Sequence, residues 1–183
     1  RLSLHLSIAI TIISILFWQI LILKKERYKN FFPFTKNTIP FLLLIFLIFT
    51  QIILGAFVSG LDAGKIYQTW PLMGNSFIPN DLELKNIQYL LDLENHSLVQ
   101  FYHRNFAYLI ITYVIILSLY IFIKRVKILY KPLGIFILFL FAQICLGVFT
   151  LLTNLDIHVA SMHQITSVIL ILSAINLYYS FIK

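Results

Sequence analysis

Hydrophobic positions along the 183-residue chain gather into five long runs separated by polar connections. The runs cover roughly 4–23, 39–58, 98–123, 132–152 and 160–182. Each is close to or above the ~20 residues that an α-helix needs to cross a hydrocarbon core. They are too long, and alternate too little, to be the strands of a membrane barrel. The pattern predicts an all-α, polytopic membrane protein of five transmembrane helices, the last four forming a four-helix bundle.

The connections set an orientation. Lys24, Lys25, Arg27, Lys29 and Lys36 crowd the first, at 24–37, and Lys124, Arg125, Lys127 and Lys131 crowd the third. The second, at 59–97, holds only Lys65 and Lys85 against five acids, and the fourth holds Asp156 and no base. Basic residues mark cytoplasmic loops. The first and third connections are therefore expected inside, with the start of the chain, loop 59–97 and the turn near Asp156 outside. The expected organisation is a first helix at 1–23, a cytoplasmic linker at 24–37 and a four-helix unit at 38–183. The first helix is left without a partner helix, so an upstream half is expected.

Three of the runs carry a histidine near the external end: His5, His103 and His163. His103 follows Leu98 by five residues and His163 follows Ala160 by three. At about 1.5 Å per residue both lie roughly 5–8 Å inside their runs. An ionisable side chain within a membrane segment is a functional hypothesis by default, and neutral imidazole is the commonest metal ligand among side chains. The bland alternative is a pair of interfacial histidines bonded to loop carbonyls. No third or fourth ligand stands at zinc-like spacing. Two axial histidines on a haem need only the pair and apolar walls, which Phe101, Tyr102, Phe106 and Tyr108 supply.

Arg104, next to His103, has two readings: snorkelling to the interface, or pairing with a haem propionate. Gln164, next to His163, either orients a ligand or caps its helix. His5 is structural within this chain unless an upstream helix supplies a second ligand for another haem. His96 and His158 are assigned to solvated connections.

A short internal repeat relates Gln51-Ile-Ile-Leu-Gly55-Ala-Phe-Val58 to Gln143-Ile-Cys-Leu-Gly147-Val-Phe-Thr150. A glycine at this depth lets either a neighbouring helix or a flat ligand approach the backbone. Within loop 59–97, residues 81–94 interleave leucines with polar residues and predict a short surface helix capped by Asn80 or Asp81.

Composition narrows the classes further. Hydrophobic residues make up 60% of the chain and charged residues 11%, with a mean hydropathy of +0.91. The net charge of +7 resides in the basic loops, which argues for topology and against nucleic acid. Cys145 is the only cysteine, so no intrachain disulfide exists. Gly60-Leu-Asp-Ala-Gly64-Lys65 has three residues between its glycines and Ile66 after the lysine, so it is not a phosphate loop.

Several motifs then occur in order. Gln51-x-x-Leu54-Gly55-Ala-Phe-Val-Ser-Gly-Leu-Asp-Ala-Gly64 is followed by Tyr67-Gln-Thr-Trp-Pro-Leu-Met-Gly74 and Ile78-Pro79. Glu94-Asn-His-Ser-Leu-Val-Gln-Phe-Tyr-His103-Arg104, Gln143-x-x-Leu146-Gly147 and His163-Gln164 complete the set. Together they resemble the haem A synthase family of the cytochrome oxidase assembly pathway, of the proteobacterial and mitochondrial type. The resemblance implies eight helices in two pseudo-symmetric halves, this chain supplying helices four to eight.

It further implies that His103 and His163 are axial ligands of a haem b, with Arg104 and Gln164 beside them, and that His5 is a ligand of the substrate haem. The implied activity is oxidation of a methyl group of haem O to the formyl group of haem A. Haem O synthase, an electron donor and membrane lipid are the implied partners, with a homo-oligomer compatible, in a bacterial inner membrane with the histidines toward the periplasm. The family's Glu-x-x-His-Arg motif has no counterpart here, so the chain is expected to hold the cofactor half without a complete active site. The rival readings are an electron-transfer cytochrome b without haem conversion, and a membrane scaffold or transporter with structural histidines.

Overall fold

The computed structural model describes residues 2–25, 31, 35–82 and 90–182. Five helices account for the five apolar runs: α1 (Leu2–Lys25), α2 (Ile39–Gly60), α3 (His96–Ile123), α4 (Tyr130–Leu152) and α5 (Ile157–Phe181). All five are long and apolar enough to cross a membrane. Among the described residues the only β-pairing is an isolated bridge between Met73 and Ser76. The chain is a multi-pass, all-helical membrane protein.

Four helices, α1, α3, α4 and α5, begin two or three residues earlier than their apolar runs, and side-chain capping explains α3 and α5. Asn95 accepts the backbone N–H of Leu98 at 3.0 Å, so α3 starts at His96. Asp156 accepts the N–H groups of His158 and Val159 at 3.0 and 3.1 Å, so α5 starts at Ile157. A side-chain acceptor at the N-cap satisfies donors that have no partner within the helix. His96 and His158 are therefore first-turn helical residues, not loop residues as expected, and both are exposed. The cap of α5 is Asp156, which removes that role from Gln164.

The helices pack as two pairs, α2 with α3 and α4 with α5, joined through contact of α2 with α5. No comparable packing joins α3 to α4 among the described residues. The first helix lies against α2 and α5. Tyr178 accounts for much of this junction. Its ring stacks with Trp18, centroids 5.9 Å apart, and its hydroxyl donates to the Phe31 carbonyl at 2.6 Å. Trp18 also meets Tyr179 edge to face at 5.1 Å. In lipid, helices associate by close packing and hydrogen bonds because leaving lipid brings no hydrophobic gain.

The core is concentrated in one half of the bundle. The buried residues of α4 are Leu133 and Phe136, and those of α5 begin at Leu170. These lie toward the end carrying the short α3–α4 connection. The opposite halves of α4 and α5, which hold Gly147 and His163, contain no fully buried residue. The surface helix expected at 81–94 falls mostly on residues 83–89, outside the described residues.

Candidate functional site

His103 lies seven residues into α3 and His163 six into α5, so both sit roughly 9–10 Å from their helix starts. Each imidazole lies on a glycine of the helix paired with its own. A Cβ built on Gly55 of α2 would stand 3.1 Å from His103 Cε1, and one on Gly147 of α4 would stand 2.9 Å from His163 Cε1. A real side chain at either position would force the ring to move.

A glutamine one helical turn before each glycine completes the arrangement. Gln51 Nε2 stands 3.4 Å from His103 Nε2, and Gln143 Nε2 stands 3.4 Å from His163 Nε2. Gln51 Nε2 also donates to the His103 carbonyl at 2.9 Å. His163 Nδ1 lies 3.1 Å from the Gln143 carbonyl, which makes Nδ1 the protonated nitrogen and Nε2 the acceptor that faces the Gln143 amide. His103 Nδ1 and the Oε1 atoms of both glutamines are buried without a hydrogen-bond partner. The repeated sequence is thus a repeated site: glutamine, glycine and histidine meet in the same way on α2–α3 and on α4–α5.

Arg104 points into the loop between α2 and α3. It is only 8% exposed; Nη1 donates to the carbonyls of Thr69 and Leu72 at 2.8 and 3.3 Å, and Nη2 to that of Tyr67 at 2.7 Å. Gln100, one turn earlier, donates to the same Tyr67 carbonyl at 2.9 Å. Together these side chains satisfy three carbonyls of the partly exposed segment 67–72. Arg104 Nε and Gln100 Oε1 remain buried without partners.

A second fastening lies nearby. Tyr67 Oη donates to Asp81 Oδ1 at 2.6 Å and Ser97 Oγ donates to Asp81 Oδ2 at 2.5 Å. Partial burial raises the Asp81 carboxyl, but the hydrogen bonds from Ser97 and Tyr67 outweigh it and leave the group below its ordinary value. The same hydrogen bond to Asp81 raises the Tyr67 phenol, helped by burial and by the carboxylate charge. Phe77 stacks on Tyr108 of α3, centroids 6.2 Å apart, which seats the loop further along the helix.

The remaining sequence-predicted residues stand apart from the pair. His5 is exposed on α1, and Gln164 is exposed one residue beyond His163. Among the described residues, no group of three or more His, Cys, Asp or Glu side chains is placed to hold a metal ion.

Comparison with known proteins now bears on the pair. The COX15-CtaA family, described as cytochrome oxidase assembly protein, matches residues 1–175. The chain belongs to this family. Its relatives include the haem A synthase of Pelagibacter ubique, 41% identical over 182 residues that cover 98% of this chain and 52% of that protein. The haem A synthase of Wolbachia pipientis wMel is 40% identical over 171 residues, covering 93% of this chain and 47% of the relative. That of Rickettsia prowazekii is 35% identical over 187 residues, covering 99% and 54%. The chain thus spans about half the length of the curated relatives it matches. No solved structure matches it.

A haem suits the residues that this family member brings together. His103 and His163 lie at the same end of the bundle on helices of different pairs, α3 and α5, where α4 and α5 hold no fully buried residue. His163 has the Nδ1 acceptor that a metal-ligating histidine normally keeps. The partnerless buried atoms of Gln51, Gln143 and His103 lie at the same place. In the sequence, the histidines and the repeat stand as separate signals. The signal that joins them is nonetheless present: each Gln-x-x-x-Gly lies on the helix that precedes a histidine-bearing one.

Proposed function

We propose that this chain is the cofactor-holding portion of a haem A synthase, with His103 and His163 the axial ligands of a haem b. The observation that supports the reading is the twofold recurrence of an imidazole lying on a bare glycine of the neighbouring helix. The names of its relatives support the activity: oxidation of a methyl group of haem O to the formyl group of haem A. When bound, haem b would supply one-electron redox chemistry, and His103 and His163 would hold its iron.

In this reading the chain's own residues hold and enclose. His103 and His163 ligate, while Arg104 fixes loop 67–72 over the histidine end. Gln164, next to His163, provides an amide at the outer edge. His5 belongs to a substrate-haem site completed by residues outside this chain. Residues 38–183 form the haem b half, 1–23 the last helix of a substrate half, and 24–37 the cytoplasmic linker. The histidine end faces the periplasm, across the inner membrane from the basic connections. Haem O synthase and an electron donor are its partners.

Membranes of a bacterial strain lacking its own haem A synthase, supplied with haem O, test the activity. Expression of the protein containing this chain is expected to yield haem A among the extracted haems, and His103→Ala to abolish it. Unconverted haem O beside a normal b-type spectrum would instead make the protein an electron-transfer cytochrome.

A further inference from the structure

We propose that the loop segment 66–80 is a lipid-contacting surface: it folds back along α3 and turns Trp70, Leu72, Phe77 and Ile78 into the bilayer leaflet at the histidine end. All four side chains are exposed, while Met73 between them is buried. No charged residue occurs between Lys65 and Asp81. An exposed apolar patch of this kind marks an interaction surface.

Depth along α3 identifies lipid as the partner. The helix ends at Ile123, and Lys124 and Arg125 follow it. A hydrocarbon core of about 30 Å takes about 20 helical residues, so counting back from Ile123 puts its other boundary near Arg104. Arg104 holds the carbonyls of Tyr67, Thr69 and Leu72, which brings the loop to that boundary. Phe77 stacks on Tyr108, one turn deeper. Gln100, Arg104 and Tyr108 recur at every fourth residue and share a face of the helix, which continues through Ile115 and Phe122. Both of these are exposed, as side chains that meet lipid are.

The polar backbone of the segment fits the same place. Non-helical backbone at membrane depth needs partners within the protein. Besides the carbonyls held by Arg104 and Gln100, the Met73 N–H donates to the Ser76 carbonyl at 2.8 Å and the Gly74 N–H to Thr69 Oγ1 at 2.9 Å. The Thr69 hydroxyl donates to the Leu72 carbonyl at 2.8 Å, and Pro71 and Pro79 have no N–H to satisfy. Polar groups are thus turned inward and apolar side chains outward, with Trp70 at the boundary level where indole rings gather.

The test is fluorescence quenching of the purified protein in phosphatidylcholine vesicles, brominated along the acyl chains or unbrominated, with iodide on both sides as the aqueous quencher. Trp18 and Trp70 are the only tryptophans, so Trp18→Phe leaves Trp70 as the sole emitter. The difference between wild type and Trp70→Phe gives the same signal independently. Trp70 is expected to lose intensity in vesicles brominated near the headgroup and to be spared by iodide. Phe77→Trp, in protein lacking both native tryptophans, is expected to lose more than Trp70 to bromines placed deeper. Quenching of Trp70 by iodide with no loss in brominated vesicles would overturn the proposal, because the loop would then face water. Protection from both quenchers would overturn it too, because the patch would then lie against protein or a ligand within the bundle. If Phe77→Trp fails to fold, the native Trp70 decides alone.

Discussion

Gly147 and His163 are in contact so close that one added carbon would not fit: a Cβ on the glycine would lie 2.9 Å from the ring. Gly147→Ala therefore pushes the imidazole away from α4 and from the Gln143 carbonyl. The expected result is conversion of the low-spin haem spectrum toward the one produced by His163→Ala. A Cβ on Gly134 of the same helix would meet nothing within 4 Å, so Gly134→Ala is the control. It should leave the spectrum unchanged and stabilise the helix by about 0.5–1 kcal/mol. Equal effects of both substitutions would show that helix propensity, not the imidazole contact, governs the spectrum.

Loop closure depends on Arg104. Lysine retains the charge but lacks the fork that reaches the carbonyls of Tyr67, Thr69 and Leu72 together. Arg104→Lys should lower stability by about 1–3 kcal/mol, the scale of lost hydrogen bonds to a charged group. Protease added to the loop side should cut within 61–82 in the variant and spare the wild type. Equal resistance would mean that Phe77 and the Asp81 contacts seat the loop unaided.

The Asp81 fastening has a defined pH window. Its carboxyl lies below the ordinary 3.8 in the folded protein, so the stabilisation is complete above that value and is lost as pH falls through the lowered one. Tyr67 lies above its ordinary 10.0, so its contribution is complete below 10.0 and is lost as pH rises through the raised value. Loop order, followed by quenching of Trp70 fluorescence in a Trp18→Phe background, should be flat between about pH 5 and pH 9 and decline at both extremes. Asp81→Asn should remove the acid decline. A midpoint near neutrality would implicate a group other than this pair.

Trp18 links α1 to α5 through Tyr178 and Tyr179. Trp18→Ala should lower thermal stability by about 3–5 kcal/mol, the scale for deleting a buried aromatic, with the haem spectrum unchanged. A changed spectrum would show that α1 packing reaches the histidine site.

The helices were legible from sequence because length and hydropathy suffice to define a membrane span, and the structure moves the starts of α3 and α5 only by the reach of Asn95 and Asp156. The similar depth of His103 and His163 in their helices was legible from their spacing to the starts of the runs. The partners of Arg104 were not, since they are backbone carbonyls of a loop more than thirty residues distant in sequence, and no pattern of side chains announces them. The glutamines were visible as a repeat, but their contact with the rings depends on which helices pair. Gly147 shows the limit well: its role follows from the ring lying on it, not from its spacing.

The most direct measurement is the reduced-minus-oxidised visible spectrum of the detergent-purified protein, with a pyridine haemochrome assay, beside His103→Ala and His163→Ala. Axial ligation by both histidines predicts a low-spin b-type signal in the wild type that is lost or becomes high-spin in each variant. A folded wild-type protein that stays colourless after haem supplementation, or variants that keep the low-spin signal, would contradict it.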